Sequence, residues 1–315
     1  MPLDPAARAW LQNNLADDVT FEEPMSQHTS FRVGGPAEAL VRPSGKEDLV
    51  RLVRWAAGNS IGYMPLGAGS NILVRENGIR GLVIVLDRCL GSIVENKPAS
   101  AGSHITAGAG VKLNVLCAFA LKNGLKGLTS VLGIPGTVGG SIRVNAGTSD
   151  GCMGDVVASL SLLMPGGSMR RLEKNELFFS YRKLDWPAEK AFETGGGPII
   201  LEAALHLERA DQHGLKKEAK QIMQQRTKSQ PWTAKSAGCI FKNPAGEKSA
   251  GQLIDMAGLK GTCIGDAEVS PLHANFIVNR GKATADDVLA LMDLVRSTVL
   301  KRYQIELETE VRIVG

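Results

Sequence analysis

The stretch GIPGTVGGSIRVNAG, residues 133–147, decides the fold class of this sequence. Pro135 fixes one backbone φ angle, the glycines free several others, and Thr137 and Ser141 supply hydroxyl groups. A hydrophobic core does not require fifteen consecutive residues that are this small and this polar. The stretch therefore predicts a loop whose backbone approaches a ligand closely.

A second glycine cluster, GAGSN at residues 67–71, lies between two short apolar runs that are typical of strands. It is not a Rossmann fingerprint, because G-x-G-x-x-G would require glycine where Ile72 stands and a helix after the loop. Successive backbone N–H groups in such a loop form an anion-binding nest, and Ser70 and Asn71 add side-chain donors. Taken alone, the cluster is equally compatible with a tight β-turn.

Two such loops in one domain favour a long ligand that carries more than one phosphate. A pyrophosphate cofactor such as FAD fits, whereas ATP fits less well, because GxxxxGK[ST] is absent and no carboxylate for magnesium adjoins either loop. Neither loop contains cysteine or histidine, so we expect FAD to bind non-covalently. The residues predicted to bind the cofactor are Gly67, Ala68, Gly69, Ser70, Asn71, Ile134, Pro135, Gly136, Thr137, Gly139, Gly140, Ser141, Asn145, Ala146 and Gly147.

Composition excludes several classes of protein. With 315 residues, 43% hydrophobic and 22% charged, the sequence is that of a folded globular protein. Its net charge of +4, spread over mixed signs, favours a small anionic ligand over nucleic acid. The five cysteines are widely spaced and never form CxxC, so we expect neither a disulfide framework nor a metal site. Apolar runs such as residues 82–86 are too short to cross a membrane, and the start resembles no signal peptide, so we expect a cytoplasmic protein without membrane insertion.

Periodicity divides the chain into elements. Helices are predicted over 5–15, from a capping box at 44–47 to about Gly58, over 113–122, over 215–226, and over 286–302 behind a cap at Thr284. Strands are predicted over 61–66, 72–74, 156–163, 199–207 and 306–314. A polar stretch at 208–214 marks a domain boundary, which gives a β-rich part, 1–207, and a smaller α+β domain, 208–315.

The sequence resembles UDP-N-acetylenolpyruvoylglucosamine reductase, the MurB family, in eight segments that span nearly the whole chain. They are TSFRVGG (29–35), PLGAGSNILV (65–74), GIPGTVGGSIRVNAG (133–147), FSYR (179–182), SAGCIFKNP (236–244), AGQLIDMAGLKG (250–261), SPLHANFIVN (270–279) and LETEVRIVG (307–315). Several are loosely specific alone, but their combination in this order is highly specific. The short connections and the end soon after Glu310 resemble the type II branch.

The resemblance implies an α+β fold with a vanillyl-alcohol-oxidase-type FAD-binding domain of two α+β subdomains, about 1–77 and 78–207, and a substrate-binding domain at 208–315. It implies that NADPH reduces FAD, which then reduces the enolpyruvyl ether of UDP-N-acetylglucosamine to UDP-N-acetylmuramate, a peptidoglycan precursor. Hydride passes from N5 of FAD to C3 of the enolpyruvyl group, and a proton is added at C2. The implied partners are NADPH and the sugar nucleotide, and no protein partner is identifiable.

The resemblance also implies catalytic residues. Arg182 matches the arginine that stabilises the substrate carboxylate, although a surface arginine after a strand is the alternative. Cys239 stands where most of the family has serine and matches the proton donor to C2; the alternative is an inert, buried thiol. Glu310 matches the C-terminal catalytic glutamate, with Glu308 as the fallback. Leu184 stands where the family often has serine.

Substrate-binding positions follow from the same motifs. Tyr181, Lys242 and Asn243 align with positions that contact the sugar nucleotide. Arg226, and less clearly Lys228, are candidates for the diphosphate. His273 is as compatible with orienting a loop as with binding ligand.

Two alternatives remain open at this point. Another FAD-linked oxidase or dehydrogenase of the same fold would normally have a longer chain without SAGCIFKNP or LETEV. A non-catalytic nucleotide-binding protein would be favoured by loss of Arg182 or Glu310, and both are present.

Overall fold

The computed structural model describes residues 3–96, 102–186 and 196–315, in which helices and strands are mixed along the chain. The helices are α1 (Pro5–Leu15), α2 (Lys46–Gly58), α3 (Leu113–Lys122), α4 (Val138–Arg143), α5 (Met153–Val156), α6 (Gln212–Ser229), α7 (Ala250–Met256) and α8 (Ala285–Tyr303). The strands are β1 (Val19–Pro24), β2 (Pro36–Val41), β3 (Tyr63–Leu66), β4 (Ile72–Val74), β5 (Ile79–Val85), β6 (Ile93–Asn96), β7 (Gly102–Gly108), β8 (Leu125–Lys126), β9 (Gly147–Thr148), β10 (Gly151–Cys152), β11 (Val157–Leu163), β12 (Met169–Glu173), β13 (Phe178–Ser180), β14 (Lys183–Asp185), β15 (Ile199–Arg209), β16 (Cys263–Ile264), β17 (Ala267–Val269), β18 (Ile277–Asn279) and β19 (Arg312–Val314).

The first of two compact units comprises residues 1–22, 38–68 and 80–224. It contains most of a four-stranded sheet in the order β1-β2-β5-β3 and a six-stranded sheet in which β12-β11-β15-β7-β6 are neighbours and β8 pairs with β15. One continuous apolar core lies between these elements. Helix α2 buries Leu49, Leu52 and Val53 on one face, and its Trp55 stacks on Trp10 of α1 with ring centroids 4.0 Å apart.

The second unit comprises residues 23–37, 69–79 and 225–315, and it has its own apolar core. Strands β16, β17 and β18 form an antiparallel sheet against which α8 packs. Strand β4, which follows the first glycine cluster, pairs in parallel with the C-terminal strand β19, with Ile72 opposite Arg312. The C-terminal residues are thereby held beside the first glycine cluster.

The predicted α+β character is confirmed, and several predicted helices are found with their predicted ends. Helices α1 and α3 have the predicted bounds, and α8 begins behind Thr284, whose side chain accepts a hydrogen bond from the Asp287 backbone. The predicted FAD-binding and substrate-binding domains, 1–207 and 208–315, are a division by function that stays a prediction.

Three local predictions are wrong. Helix α2 has Gly45 at its N-cap without a side-chain bond, because the Ser44 hydroxyl donates to Asp18 instead. The C-terminal strand is limited to β19, since the residues before Arg312 make only an isolated pairing between Thr309 and Phe241. The strand predicted from residue 61 begins at Tyr63.

No helix within the described ranges combines the length and the apolar character that crossing a membrane requires.

Candidate active site

The second glycine cluster forms a turn that leads into α4, so it is not a loop throughout. Backbone N–H groups of Val138 and Gly139 donate to the carbonyls of Val111 and Ala109, at 2.8 and 2.9 Å. A Cβ at Gly139 would lie 2.7 Å from the Cβ of Ala109, so this glycine is required by packing. The exposed Gly140 differs, because a Cβ there would meet only the Thr137 hydroxyl, at 3.4 Å.

Polar side chains of this cluster bond within the protein. The Ser141 hydroxyl donates to the Val138 carbonyl at 2.9 Å. Asn145 has a positive φ of 43°, its amide nitrogen donates to the Ser180 carbonyl at 2.8 Å, and its amide oxygen accepts from the Gly154 N–H at 2.9 Å. These bonds give Ser141 and Asn145 a role in shaping the loop, and their contact with the cofactor stays a prediction.

The two glycine clusters meet within the first unit. A Cβ at Gly67 would collide with the Thr137 hydroxyl, so Gly67 has to be glycine for the clusters to approach. In the second unit, Gly69 has a φ of 61° and a Cβ there would collide with the His28 carbonyl, while its own carbonyl accepts from the Ser30 N–H at 3.0 Å. The first cluster is therefore glycine-rich for reasons of close backbone packing.

Arg182 occupies the turn of the hairpin β13-β14, in which Ser180 pairs with Lys183. Its φ of 56° lies in the left-handed region, which is uncommon for arginine. The guanidinium Nη1 donates to the Gly147 carbonyl at 3.0 Å, and its central carbon lies 5.2 Å from the centroid of the Tyr181 ring. The structure thus brings Arg182 to the end of the second glycine cluster.

Leu184, at the position where the sequence resemblance implies serine, is fully buried. Its carbonyl accepts from Arg143 Nη1 at 2.8 Å, and the Arg143 guanidinium lies over the Trp186 ring. Apolar packing therefore replaces a polar side chain on this strand.

The second unit places Cys239 and Glu310 on neighbouring segments. The Glu310 N–H donates to the carbonyl of Ile240, the residue after Cys239, at 2.8 Å. Two residues further along, the Lys242 N–H donates to the Glu308 carbonyl, also at 2.8 Å. The segment 239–242 and the segment 308–310 consequently run side by side.

Asn71 of the first glycine cluster reaches the same segment. Its amide nitrogen donates to the Glu310 carbonyl at 3.3 Å, and its backbone carbonyl accepts from the Arg312 N–H at 3.1 Å. Within the second unit, a predicted cofactor-binding residue is therefore in contact with the backbone of a predicted catalytic residue.

The two candidate glutamates have different surroundings. The Glu308 carboxylate is 72% exposed and forms an ion pair with the Lys242 ammonium. Glu310 is half-buried. An exposed ion pair contributes little to stability and is screened by salt. The energy of a half-buried carboxyl depends more strongly on neighbouring charges and hydrogen bonds.

His273 acts as a local structural group. Burial lowers the pKa of His273 below its usual 6.5, with the Lys260 charge acting in the same direction. Its Nδ1 accepts from the Asn275 N–H at 3.3 Å and its ring meets the Phe276 ring edge-on at 4.8 Å. This geometry supports the alternative in which His273 orients a loop.

The remaining predicted substrate-binding residues lie on separate elements. Tyr181 is 52% exposed on its hairpin. The Asn243 amide oxygen accepts from the N–H of Ala250, the first residue of α7, at 3.1 Å. Arg226 and Lys228 lie in the last turn of α6, where the Arg226 carbonyl accepts from the Gln230 N–H.

One buried residue of this region was missed by the sequence analysis. Asn275 is 3% exposed and both ends of its amide bond the backbone of Phe241. Asn275 lies in the motif SPLHANFIVN and is a polar residue within the apolar run ANFIV, but the sequence analysis gave it no role of its own. In the part of the chain that the structure describes, no three side chains of His, Cys, Asp or Glu are grouped as a metal site would need.

Comparisons with known proteins define the class first. Residues 37–173 match the FAD binding domain family, and residues 230–314 match the C-terminal domain of UDP-N-acetylenolpyruvoylglucosamine reductase. The chain thus has an FAD-binding domain followed by the C-terminal domain of a reductase, which places it among the FAD-dependent oxidoreductases. The exposed backbone at Gly140 and the meeting of the two glycine clusters fit a pyrophosphate cofactor.

Full-length relatives identify the particular family. The UDP-N-acetylenolpyruvoylglucosamine reductase of Desulfosudis oleivorans is 45% identical over 99% of this chain and 100% of its own, and that of Heliobacterium modesticaldum is 42% identical over 93% and 90%. The crystal structure of the Thermus caldophilus reductase matches with a TM-score of 0.76 at 34% identity, covering 95% of this chain and 98% of that one. The chain belongs to the UDP-N-acetylenolpyruvoylglucosamine reductase family. The predicted FAD- and NADPH-dependent reduction in peptidoglycan synthesis is confirmed.

Proposed function

We propose that this chain reduces the enolpyruvyl ether of UDP-N-acetylglucosamine with Arg182, Cys239 and Glu310 as its catalytic residues. When bound, FAD would supply the hydride chemistry between NADPH and C3 of the enolpyruvyl group. The residues proposed to hold FAD without a covalent bond are those of 67–71 and 134–147 named above. We propose that the activity is cytoplasmic, and we propose no protein or nucleic-acid partner.

Arg182 is proposed to stabilise the negative charge that develops on the substrate. Addition of hydride at C3 leaves negative charge at C2 that spreads into the adjacent carboxylate. A fixed guanidinium stabilises such charge most where it develops, and its fork matches the two carboxylate oxygens. The anchoring of Arg182 Nη1 on the Gly147 carbonyl, at the end of the second glycine cluster, supports this role.

Cys239 is proposed to donate the proton that C2 requires. A cysteine thiol, with a reference pKa of about 8.5, is a stronger acid than the serine hydroxyl that most of the family uses. The thiol is partly exposed, and the backbone of 239–242 is hydrogen-bonded on both sides, which supports a fixed donor.

Glu310 is proposed to hydrogen-bond the developing enol. Its half-buried position and its bonded backbone support this choice over Glu308, which is exposed and paired with Lys242. For the sugar nucleotide we propose Tyr181, Lys242 and Asn243, which lie on the motifs that carry the family resemblance, and Arg226 in the last turn of α6.

One observation carries the proposal: Glu310 donates its N–H to the residue that follows Cys239 and accepts from Asn71 of the glycine cluster. Three separately predicted groups are thereby joined in one hydrogen-bonded arrangement.

The test follows the flavin absorbance of the FAD-loaded protein in two steps. In Cys239→Ala, bleaching by NADPH should stay within about 2-fold of wild type, whereas recolouring by the enolpyruvyl substrate should slow by about 10²- to 10⁴-fold, the range for loss of a general acid. Cys239→Ser is the matched control and should keep substantial activity.

A structural cysteine predicts the opposite order, with Ala tolerated and Ser harmful because it introduces a buried hydroxyl. Wild-type recolouring in Cys239→Ala would assign the proton to another group. Substrate that fails to recolour even the wild-type protein would contradict the proposed function itself.

A further inference from the structure

The side chain of Asn275 substitutes for a missing strand beside the Cys239 segment. Its amide oxygen accepts from the Phe241 N–H at 3.0 Å and its amide nitrogen donates to the Phe241 carbonyl at 2.8 Å. Its own backbone carbonyl accepts from the Ile240 N–H at 2.9 Å. A side-chain amide carries the same donor and acceptor as a peptide group, so it can complete a ladder of hydrogen bonds.

These bonds fall on the residues between the proposed proton donor and Lys242. On the opposite edge, the same segment is held by the Lys242 and Glu310 N–H groups through the carbonyls of Glu308 and Ile240. Loss of the Asn275 amide would leave two backbone groups of Phe241, itself 1% exposed, without these partners in a buried place. Such groups either shift toward new partners or carry the cost of an unmade hydrogen bond.

We propose that Asn275 is a positioning residue for the substrate half-reaction, and that it acts by fixing the backbone from which the Cys239 thiol projects. The proposal rests on the proposed role of Cys239 as the proton donor. Asn275 does not touch the reacting atoms in this proposal. A donor displaced by about 1 Å is sufficient to slow a reaction by about 10²-fold, because proton transfer requires hydrogen-bond contact with the accepting carbon.

Asn279 provides a matched control on the same strand region. It is also buried, at 6% exposure, and its amide nitrogen donates to the Phe31 carbonyl at 3.0 Å. Its amide oxygen accepts from the N–H groups of Gly281 and Ala283, at 2.8 and 3.1 Å. Asn279 thus makes three side-chain bonds to backbone, one more than Asn275 makes, but none of these three bonds reaches the segment 239–242.

The experiment compares Asn275→Ala, Asn275→Asp and Asn279→Ala in the FAD-loaded enzyme. In Asn275→Ala, recolouring by substrate should slow by about 10- to 100-fold, whereas bleaching by NADPH should stay within about 2-fold. Asn275→Asp fills the same volume but sets a carboxylate oxygen against the Phe241 carbonyl, so it should slow the same step at least as much at neutral pH. Asn279→Ala should lower the melting temperature, and it should not slow recolouring by substrate more than it slows bleaching by NADPH.

A second readout does not depend on turnover. The rate at which iodoacetamide alkylates Cys239, followed on the Cys239 peptide by mass spectrometry, reports the position of the thiol. Both Asn275 variants should change this rate by at least about 3-fold and lose the protection given by bound substrate, whereas Asn279→Ala should keep the wild-type rate. If Asn275→Ala does not fold, Asn275→Asp carries the comparison.

Equal effects of Asn275→Ala and Asn279→Ala on both steps, with an unchanged alkylation rate, would make Asn275 a purely structural residue and overturn the proposal. Wild-type kinetics in Asn275→Asp would overturn it as well. If Cys239 is not the proton donor, the result is different, because Cys239→Ala would recolour at the wild-type rate. The alkylation rate would still report whether Asn275 positions the thiol.

Discussion

Two adjacent glycines, Gly139 and Gly140, have different reasons to be glycine. Gly139 faces Ala109 across a contact that leaves no room for a side chain, while Gly140 faces open space beside the Thr137 hydroxyl. A glycine that packing does not require, in an exposed backbone position of a ligand-binding turn, is best explained by the close approach of a ligand. Of the two, Gly140 is therefore the better probe of FAD binding.

Replacing Gly140 with valine should leave the apoprotein folded and weaken FAD binding by at least about 10-fold, or about 1.4 kcal/mol. The added Cβ has the Thr137 hydroxyl, at 3.4 Å, as its nearest neighbour outside the backbone of its own helix, so the effect should fall on the cofactor. Quenching of flavin fluorescence during titration of the apoprotein measures the affinity, and the melting temperature of the apoprotein checks the fold.

Gly139→Val is the control for that prediction. Its Cβ would lie 2.7 Å from the Ala109 Cβ, so it should destabilise the apoprotein itself by about 1–3 kcal/mol, the usual cost of overpacking. Wild-type FAD affinity in Gly140→Val would contradict the prediction that the cofactor approaches helix α4 at Gly140.

For single residues, the sequence predicted which residue types are important but not the contact that each one makes. The clustering of glycine indicated close backbone approach, but the partner of each glycine lies far along the chain, as Ala109 and Thr137 show. Arg182 was found only through its motif. Its left-handed φ lies in a Tyr-Arg turn, which lacks the glycine or asparagine that usually announces such backbone.

Among the elements, two sequence motifs of the same kind had different outcomes. Both 44–47 and 284–287 have a hydroxyl residue three positions before an acidic one, the pattern of a capping box. At α8 the box forms, with Thr284 and Asp287 bonding each other's backbone. At α2 it does not form, because the Ser44 hydroxyl donates to Asp18.

Substitutions in these two motifs should have different effects on the free energy of unfolding. Thr284→Ala should lower it by about 0.5–2 kcal/mol, because the first turn of α8 loses its N-cap. Ser44→Ala, whose hydroxyl caps no helix, should change it by less than about 0.5 kcal/mol. Urea denaturation followed by circular dichroism gives both values, and equal losses in the two variants would contradict this assignment of the caps.

Helix prediction succeeded where an apolar stripe and a stop signal agreed, as in α1 and α3. The prediction of one strand over 306–314 failed for a different reason. Alternating glutamate and apolar residues report alternating burial, which residues 306–308 do show, but they do not report a hydrogen-bonding neighbour. Within this stretch only Arg312–Val314 form a regular strand, paired with β4, whereas 308–310 bond to 239–242 without continuing that strand.

For the whole molecule, each compact unit is assembled from distant parts of the chain. In the second unit, the Asn279 amide donates to the Phe31 carbonyl and the Glu76 carboxylate accepts from the first N–H of α8. Periodicity is local information, and it cannot show that 23–37 and 69–79 join the C-terminal residues. The glycine loops favoured FAD and the resemblance of the motifs implied an enzyme of this family, while the discontinuous units required the structure.

Stability of the whole chain should depend on pH through His273. Burial lowers the pKa of His273 in the folded state, so the unfolded chain, with a value near 6.5, binds a proton more readily. Free energy of unfolding rises with pH wherever the unfolded state holds more protons. The contribution of His273 is therefore complete above pH 6.5 and is lost as the pH falls through the lower, folded-state pKa.

Between pH 7 and pH 5, wild-type protein should lose free energy of unfolding more steeply than His273→Gln, which has no proton to gain there. One proton limits the difference in slope to about 1.4 kcal/mol per pH unit. Glutamine keeps a side-chain oxygen that can accept from the Asn275 N–H, so the variant should fold, and urea denaturation at several pH values measures both slopes. Parallel slopes would mean that His273 keeps its ordinary pKa in the folded protein, and that other groups set the acid limit of this fold.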